Sequence, residues 1–231
     1  MRNDIEGVAF DLDGTLYPNY RLHLRLIPFF FKEWRLVSAF GKARNIIRKK
    51  QKSMLPDDLG HTGGFYEHQA AIAAEILGVQ PLPLKEKIDR FIYRGWEPLF
   101  KTIKLFKWVI ETLAALKNAG YKLGLLSDFP PEIKLENLKI SGIWDAVLCS
   151  ERCGALKPHV LSFKELAAAM SLPPGKIIYV GNSQAYDVTG ASFAGMKTAL
   201  IKSRLVPGGK RKPMADFTFN NYRQLYDFMI N

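Results

Sequence analysis

The short run Ile5-Glu6-Gly7-Val8-Ala9-Phe10 stops abruptly at Asp11-Leu12-Asp13-Gly14-Thr15. This junction limits the folds open to the chain more than any other stretch. A brief apolar run bounded by turn chemistry reads as a buried strand. Two carboxylates one residue apart then stand at its carboxyl end, where open α/β sheets place their ligands. Further apolar runs at 122–126, 146–149, 177–180, 198–201 and near Phe217 alternate with helical patterns at 107–119, 132–138, 162–170, 187–194 and 222–229. Gly120, Gly195 and Pro173-Pro174-Gly175 supply the stops. Strands separated by helices predict an α/β fold with a parallel sheet and right-handed crossovers. Asp11/Asp13, Ser127/Asp128 and Asn182 each follow an apolar run, so these crossovers bring them to one edge of the sheet.

Residues 20–100 break the alternation. They contain no convincing strand, and helical spacing runs through 22–40, 43–52, 67–77 and 85–93, with Gly78 as a helix stop. Phe30, Trp34 and Val37 fall at helical spacing, and Trp34, Trp96, Trp108 and Trp144 read as core residues. A break is expected at Pro56-Asp57-Asp58-Leu59-Gly60. The chain therefore divides into a core of residues 1–16 and 101–231 and an all-helical insert of residues 17–100.

Composition excludes several classes. Hydrophobic residues make up 48% and charged residues 24% of the 231 residues, a globular rather than a disordered balance. No apolar run approaches the ~18 residues of a membrane-spanning helix. Met1-Arg2-Asn3-Asp4 leads straight into the first strand without a secretory pattern, so a cytoplasmic protein is expected. Cys149 and Cys153 are too few for a disulfide framework and lack the second pair of a zinc site. The net charge of +11 is unevenly placed. Residues 20–52 hold ten Lys or Arg against the single acid Glu33, a net +9, and Lys202, Arg204, Lys210, Arg211 and Lys212 form a second cluster.

Asp-x-Asp-Gly-Thr after the first strand, Ser127 after a later one, Lys157-Pro158 beyond it, and Gly181-Asn182-Ser183 with Asp187 after the next strand occur in fixed order. In these motifs the chain resembles the haloacid dehalogenase superfamily of hydrolases. The resemblance covers residues 4–16 and about 100–205 and implies a Rossmann-like core. The helical insert looks like that family's type-1 cap domain.

The resemblance implies a Mg2+-dependent phosphomonoesterase acting on a small phosphorylated metabolite. Asp11 would be the nucleophile, forming an aspartyl-phosphate and splitting one hard displacement into two. Asp13 would protonate the leaving oxygen and then activate water. Ser127 would donate a hydrogen bond to the phosphoryl oxygens, and Lys157 would offset their charge. Taken singly, Ser127 also suits a turn or a helix cap, and Lys157 a solvated surface position. Asp128 stands where many members have Asn; beside a phosphate it is expected to turn away, toward a helix end or the cap. Mg2+ would be held by the Asp11 carboxylate and the Asp13 backbone carbonyl, with Asn182 and Asp187. The family usually has Asp at the position of Asn182, so a weaker metal site is expected here.

Two rival functions follow from the same residues. Metal-independent haloacid dehalogenases also use an aspartate nucleophile, but halide needs no proton and they lack an acid at the position of Asp13. The other rival is a non-catalytic module for a membrane or protein partner on a degenerate hydrolase core. For residues 20–52 three roles are open: a solvated basic helix face, steering of anionic substrates, or contact with an anionic membrane surface. The apolar run Ile27-Pro28-Phe29-Phe30-Phe31 favours burial or membrane contact over a nucleic-acid face, so no nucleic acid is expected.

Overall fold

A computed structural model describes residues 4–54, 64–202 and 215–231. The expected break around Pro56–Gly60 and most of the second basic cluster lie outside them. Six strands form one sheet in the order β3-β2-β1-β4-β5-β6. They are β1 (Gly7–Phe10), β2 (Lys122–Ser127), β3 (Ala146–Cys149), β4 (Ile177–Gly181), β5 (Lys197–Ile201) and β6 (Phe217–Phe219). Every pairing is parallel, and β1 sits between β2 and β4, with Phe10 level with Leu125 on one side and Val180 on the other. The strands therefore stop together, and the residues after β1, β2 and β4 share one edge.

The helices are α1 (Asn19–Gln51), α2 (Phe65–Leu77), α3 (Pro81–Ile88), the single turn α4 (Arg94–Trp96), α5 (Val109–Asn118), α6 (Glu132–Asn137), α7 (Val160–Ala169), α8 (Thr189–Phe193) and α9 (Tyr222–Ile230). Side chains alternate across a strand, and two cores follow. Val8, Phe10, Leu123, Leu125, Ile178 and Val180 pack on one face against α5 and α9. Ala9, Leu126 and Tyr179 pack on the other against α7 and α8.

Between β1 and β2 the chain is helical, and α1, α2 and α3 share a third apolar cluster built from Leu36, Ala39, Phe40, Ala43, Ala73 and Ile88. Helix α1 is two helical stretches joined across a kink at Glu33 (φ −138°, ψ 41°), so the break falls inside the expected 22–40 stretch rather than after it, and Pro28 lies in the first part. Its inward stripe differs from the expected one. Leu36, Ala39, Phe40 and Ala43 face inward, whereas Phe30 is 48% and Trp34 57% exposed. The first half of α1 is apolar on more than one side, so spacing alone does not choose the buried face. Ile27 and Phe31 are exposed too. Among the described residues no helix is long and apolar enough to cross a membrane.

Candidate active site

The edge formed after β1, β2 and β4 collects the motif residues. Asp11 is buried, and its Oδ2 accepts a hydrogen bond from Thr15 Oγ1 at 2.7 Å. Lys157 Nζ donates to Asp11 Oδ1 at 2.6 Å and to Asp187 Oδ1 at 2.8 Å. The other oxygen of Asp187 accepts from the backbone N–H groups of Asn182 and Ser183 at 3.1 and 2.9 Å. Asp187 thus holds both the loop after β4 and the lysine. A Cβ on Gly181 would lie 2.3 Å from that of Asp187, so a glycine lets the carboxylate reach the loop. The Lys157–Pro158 peptide bond is cis.

Burial pushes the Asp11 carboxyl up to about 7 from its ordinary 3.8; Lys157 pulls it down, while Asp187 and Asp13 add to the rise. Burial alone would lower the Lys157 ammonium, yet Asp11 and Asp187 hold it well above its ordinary range. The group is a cation clamped between two carboxylates, with net charge −1 when all three are ionised.

Asp13 has different partners. Tyr17 donates its hydroxyl to Oδ1, and Lys134 Nζ lies 3.0 Å from Oδ1 and 2.7 Å from Oδ2. Lys134 comes from α6 and stacks against Phe100 and Phe129, with Nζ 5.0 Å from each ring centre. Sequence reasoning missed both. Tyr17 carries a weak signal, four residues after Asp13; Lys134 carries none, being one of many lysines on a short helix. Gly14 turns the chain between the two acids at φ +90°, and a Cβ there would lie 2.0 Å from Asn182 Nδ2. Asn182 Nδ2 donates to the Asp13 backbone carbonyl at 3.3 Å.

Ser127 is buried at the end of β2, and its Oγ accepts from the Phe129 N–H at 3.2 Å. It makes a local turn; α6 has no side-chain cap. Asp128 turns toward the helical insert. Its Oδ2 accepts from Arg48 Nη2 at 2.7 Å and lies 3.7 Å from Arg44, while its Oδ1 accepts from Ser150 and from the Lys157 N–H. Arg44 also pairs with the buried Glu151. The basic ladder of α1 is therefore not uniformly solvated, because core carboxylates draw Arg44 and Arg48 inward.

This gives a pH prediction. Burial opposes ionisation of Asp128, but Lys157, Arg44 and Arg48 together hold its carboxyl well below the usual range. A lowered folded value adds stability that is complete above the unfolded value near 3.9 and is lost as pH falls below it. Asp128→Asn should be less stable than wild type at pH 7, and the gap should narrow below about pH 4. Urea midpoints at pH 7 and pH 3 check this; a constant gap rejects it.

The sequence matches the haloacid dehalogenase-like hydrolase family over residues 5–195, and the chain belongs to that family. It is 30% identical over 243 residues to the glyceraldehyde 3-phosphate phosphatase of Methanocaldococcus jannaschii, covering 98% of each chain. A HAD phosphatase from Thermococcus onnurineus shares the fold with a TM-score of 0.62 at 21% identity, covering 97% of this chain and 98% of that one. An L-2-haloacid dehalogenase from Xanthobacter autotrophicus shares it too, with a TM-score of 0.64 at 16% identity and coverage of 97% and 98%.

Proposed function

We propose that the chain is a Mg2+-dependent phosphomonoesterase that works through an aspartyl-phosphate on Asp11. One observation carries this: a second carboxylate, Asp13, stands beside the nucleophile and faces a cavity, held by Tyr17 and Lys134. A departing alkoxide needs a proton and a departing halide does not. The named phosphatase relative supports phosphoryl rather than carbon–halogen chemistry.

An Asp11 oxygen attacks phosphorus as the bond from phosphorus to the leaving oxygen breaks, and Asp13 gives that oxygen its proton. Asp13 then takes a proton from water. The water oxygen attacks phosphorus, inorganic phosphate leaves, and the Asp11 carboxylate is restored. Lys157 keeps Asp11 oriented and offsets charge on the phosphoryl group, and Ser127 offers a hydroxyl at the end of β2. The helical insert, residues 17–100, acts as a cap over this edge.

The donor set fits a hard cation. The Asp11 carboxylate, the Asp13 carbonyl and the Asn182 amide all offer oxygen. Asn182 lies against the Asp13 carbonyl, with Nδ2 3.3 Å from its oxygen, so the two groups are close enough to serve one ion. Asp187, joined to Asp11 through Lys157, adds charge. When bound, the ion would neutralise charge on the phosphoryl oxygens. Asn182→Asp adds a carboxylate, so its Mg2+ activation constant and calorimetric dissociation constant should fall about tenfold. Unchanged constants would remove Asn182 from the site.

The test of the acid role uses leaving groups. Asp13→Asn should lose ~10²- to 10⁴-fold on an alkyl phosphate and much less on a 4-nitrophenyl phosphate, whose leaving group needs little protonation. Equal losses on both reject the assignment.

A further inference from the structure

A cavity of about 360 Å³ opens in front of Asp13. Asp13 and Lys134 form a charged patch of its wall, but Lys134 already gives its charge to both Asp13 oxygens. Glu97 also lines it, so a leaving group with a second anionic group would meet an acid and a cation already paired. Asn19, His23 and Tyr93 add polar groups, and most of the remaining wall is apolar: Leu22, Leu26, Ile92, Trp96, Phe100 and Phe129.

A second cavity of about 460 Å³ adjoins the first and shares His23, Leu26 and Trp96 with it. Its other walls, including Ile27, Phe30 and Phe31, are apolar. These three are 47%, 48% and 78% exposed on the outer side of α1. One helix thus lines both the cavity at the carboxylate assigned to protonate the leaving group and the apolar groove next to it. A small polar leaving group would leave nearly all of this surface without a partner.

Resting on the phosphatase reading, we propose that the substrate is a phosphomonoester with a hydrocarbon leaving group. Its phosphate sits at Asp11, and its chain passes through the cavity facing Asp13 into the groove beneath Ile27 and Phe30. The occupant follows from continuity with the reaction site: a bound phosphate points its ester oxygen at Asp13, and the wall beyond Asp13 is apolar.

The test uses the full chain with n-alkyl phosphates from butyl to decyl, kept below micelle formation, and glyceraldehyde 3-phosphate for comparison. Non-hydrolysable n-alkylphosphonates are titrated calorimetrically in parallel. Burying a CH2 is worth ~0.8 kcal/mol, about fourfold, so kcat/KM and phosphonate affinity should climb two- to fourfold per CH2 and then level off. Leu26→Asn and, separately, the more exposed Phe30→Asn should flatten the climb; circular dichroism shows that each is folded. Three results overturn the proposal: phosphonate affinity independent of chain length, a climb undiminished in both variants, or higher kcat/KM for glyceraldehyde 3-phosphate than for every alkyl phosphate. If phosphonate affinity climbs while no phosphate is hydrolysed, the apolar site stands and the phosphatase reading fails.

Discussion

Asp11→Asn should abolish turnover of an aryl phosphate while leaving the protein folded. Loss of a covalent nucleophile costs ~10⁴- to 10⁶-fold in kcat. The stability side follows from burial. Asp11 holds its proton up to about 7 when folded, against 3.8 ordinarily. Between those values the folded chain binds more protons than the unfolded one, so this group's contribution to stability falls as pH rises and stays low above 7. A neutral amide of the same shape escapes that penalty, and Lys157 keeps Asp187 as a partner at 2.8 Å. In metal-free buffer at pH 8 the variant should therefore melt at or above the wild-type temperature. Kinetics with calorimetry check both halves. Retained turnover removes Asp11 as nucleophile, and a large drop in Tm means that its charge supports the fold.

Lys157→Met should have the opposite profile on stability. Its ammonium lies within 2.8 Å of two carboxylates, and all three side chains are at most 7% exposed. Breaking a buried pair by removing one partner costs ~3–5 kcal/mol, because the remaining charge is left uncompensated. Here two acids would face one another across the gap. For a chain of this size each kcal/mol moves Tm by roughly 2–4 °C, so a fall of roughly 6–20 °C is expected at pH 8. Activity should be lost as well, since Asp11 would lose its orienting partner. The fall should shrink in acid as Asp11 takes up its proton. Urea midpoints at pH 8 and pH 5.5 test this; equal losses at the two values reject the charge argument.

The strand ends and the order of the motif residues were legible because they are local. Each needs only a short apolar run and the polar residue that stops it. Asp11, Asp187 and Lys157 meet as the motif order implies. What stayed hidden depends on contacts distant in sequence. Lys134 reaches Asp13 from α6, and nothing about a lysine in an Ile-Lys-Leu context announces that destination. Arg44 and Arg48 look like a solvated ladder until Asp128 and Glu151 are placed opposite them. Trp34 was misplaced for a related reason. Large apolar residues on a doubly apolar helix do not say which face the insert covers, and small ones (Ala39, Ala43) line its packed side. The turn of Asp128 toward the helical insert follows from charge, since Arg44 and Arg48 wait there.

The central place of β1 bears on how the chain is made. Its neighbours on both sides are encoded far downstream: Gly7 pairs with Lys122 on one side and Ile177 on the other. Lys157 lies 146 residues beyond Asp11. At about 5–20 residues per second of synthesis, β2 follows β1 by on the order of 6–25 s, during which Val8-Ala9-Phe10 has neither hydrogen-bonding edge filled, and Lys157 comes later still. A nascent chain therefore carries Asp11 long before it owns Lys157 and Asp187, the groups that surround it in the fold. An exposed strand of this kind recruits other strands, so the ribosome-bound interval is when β1 is most open to wrong pairing.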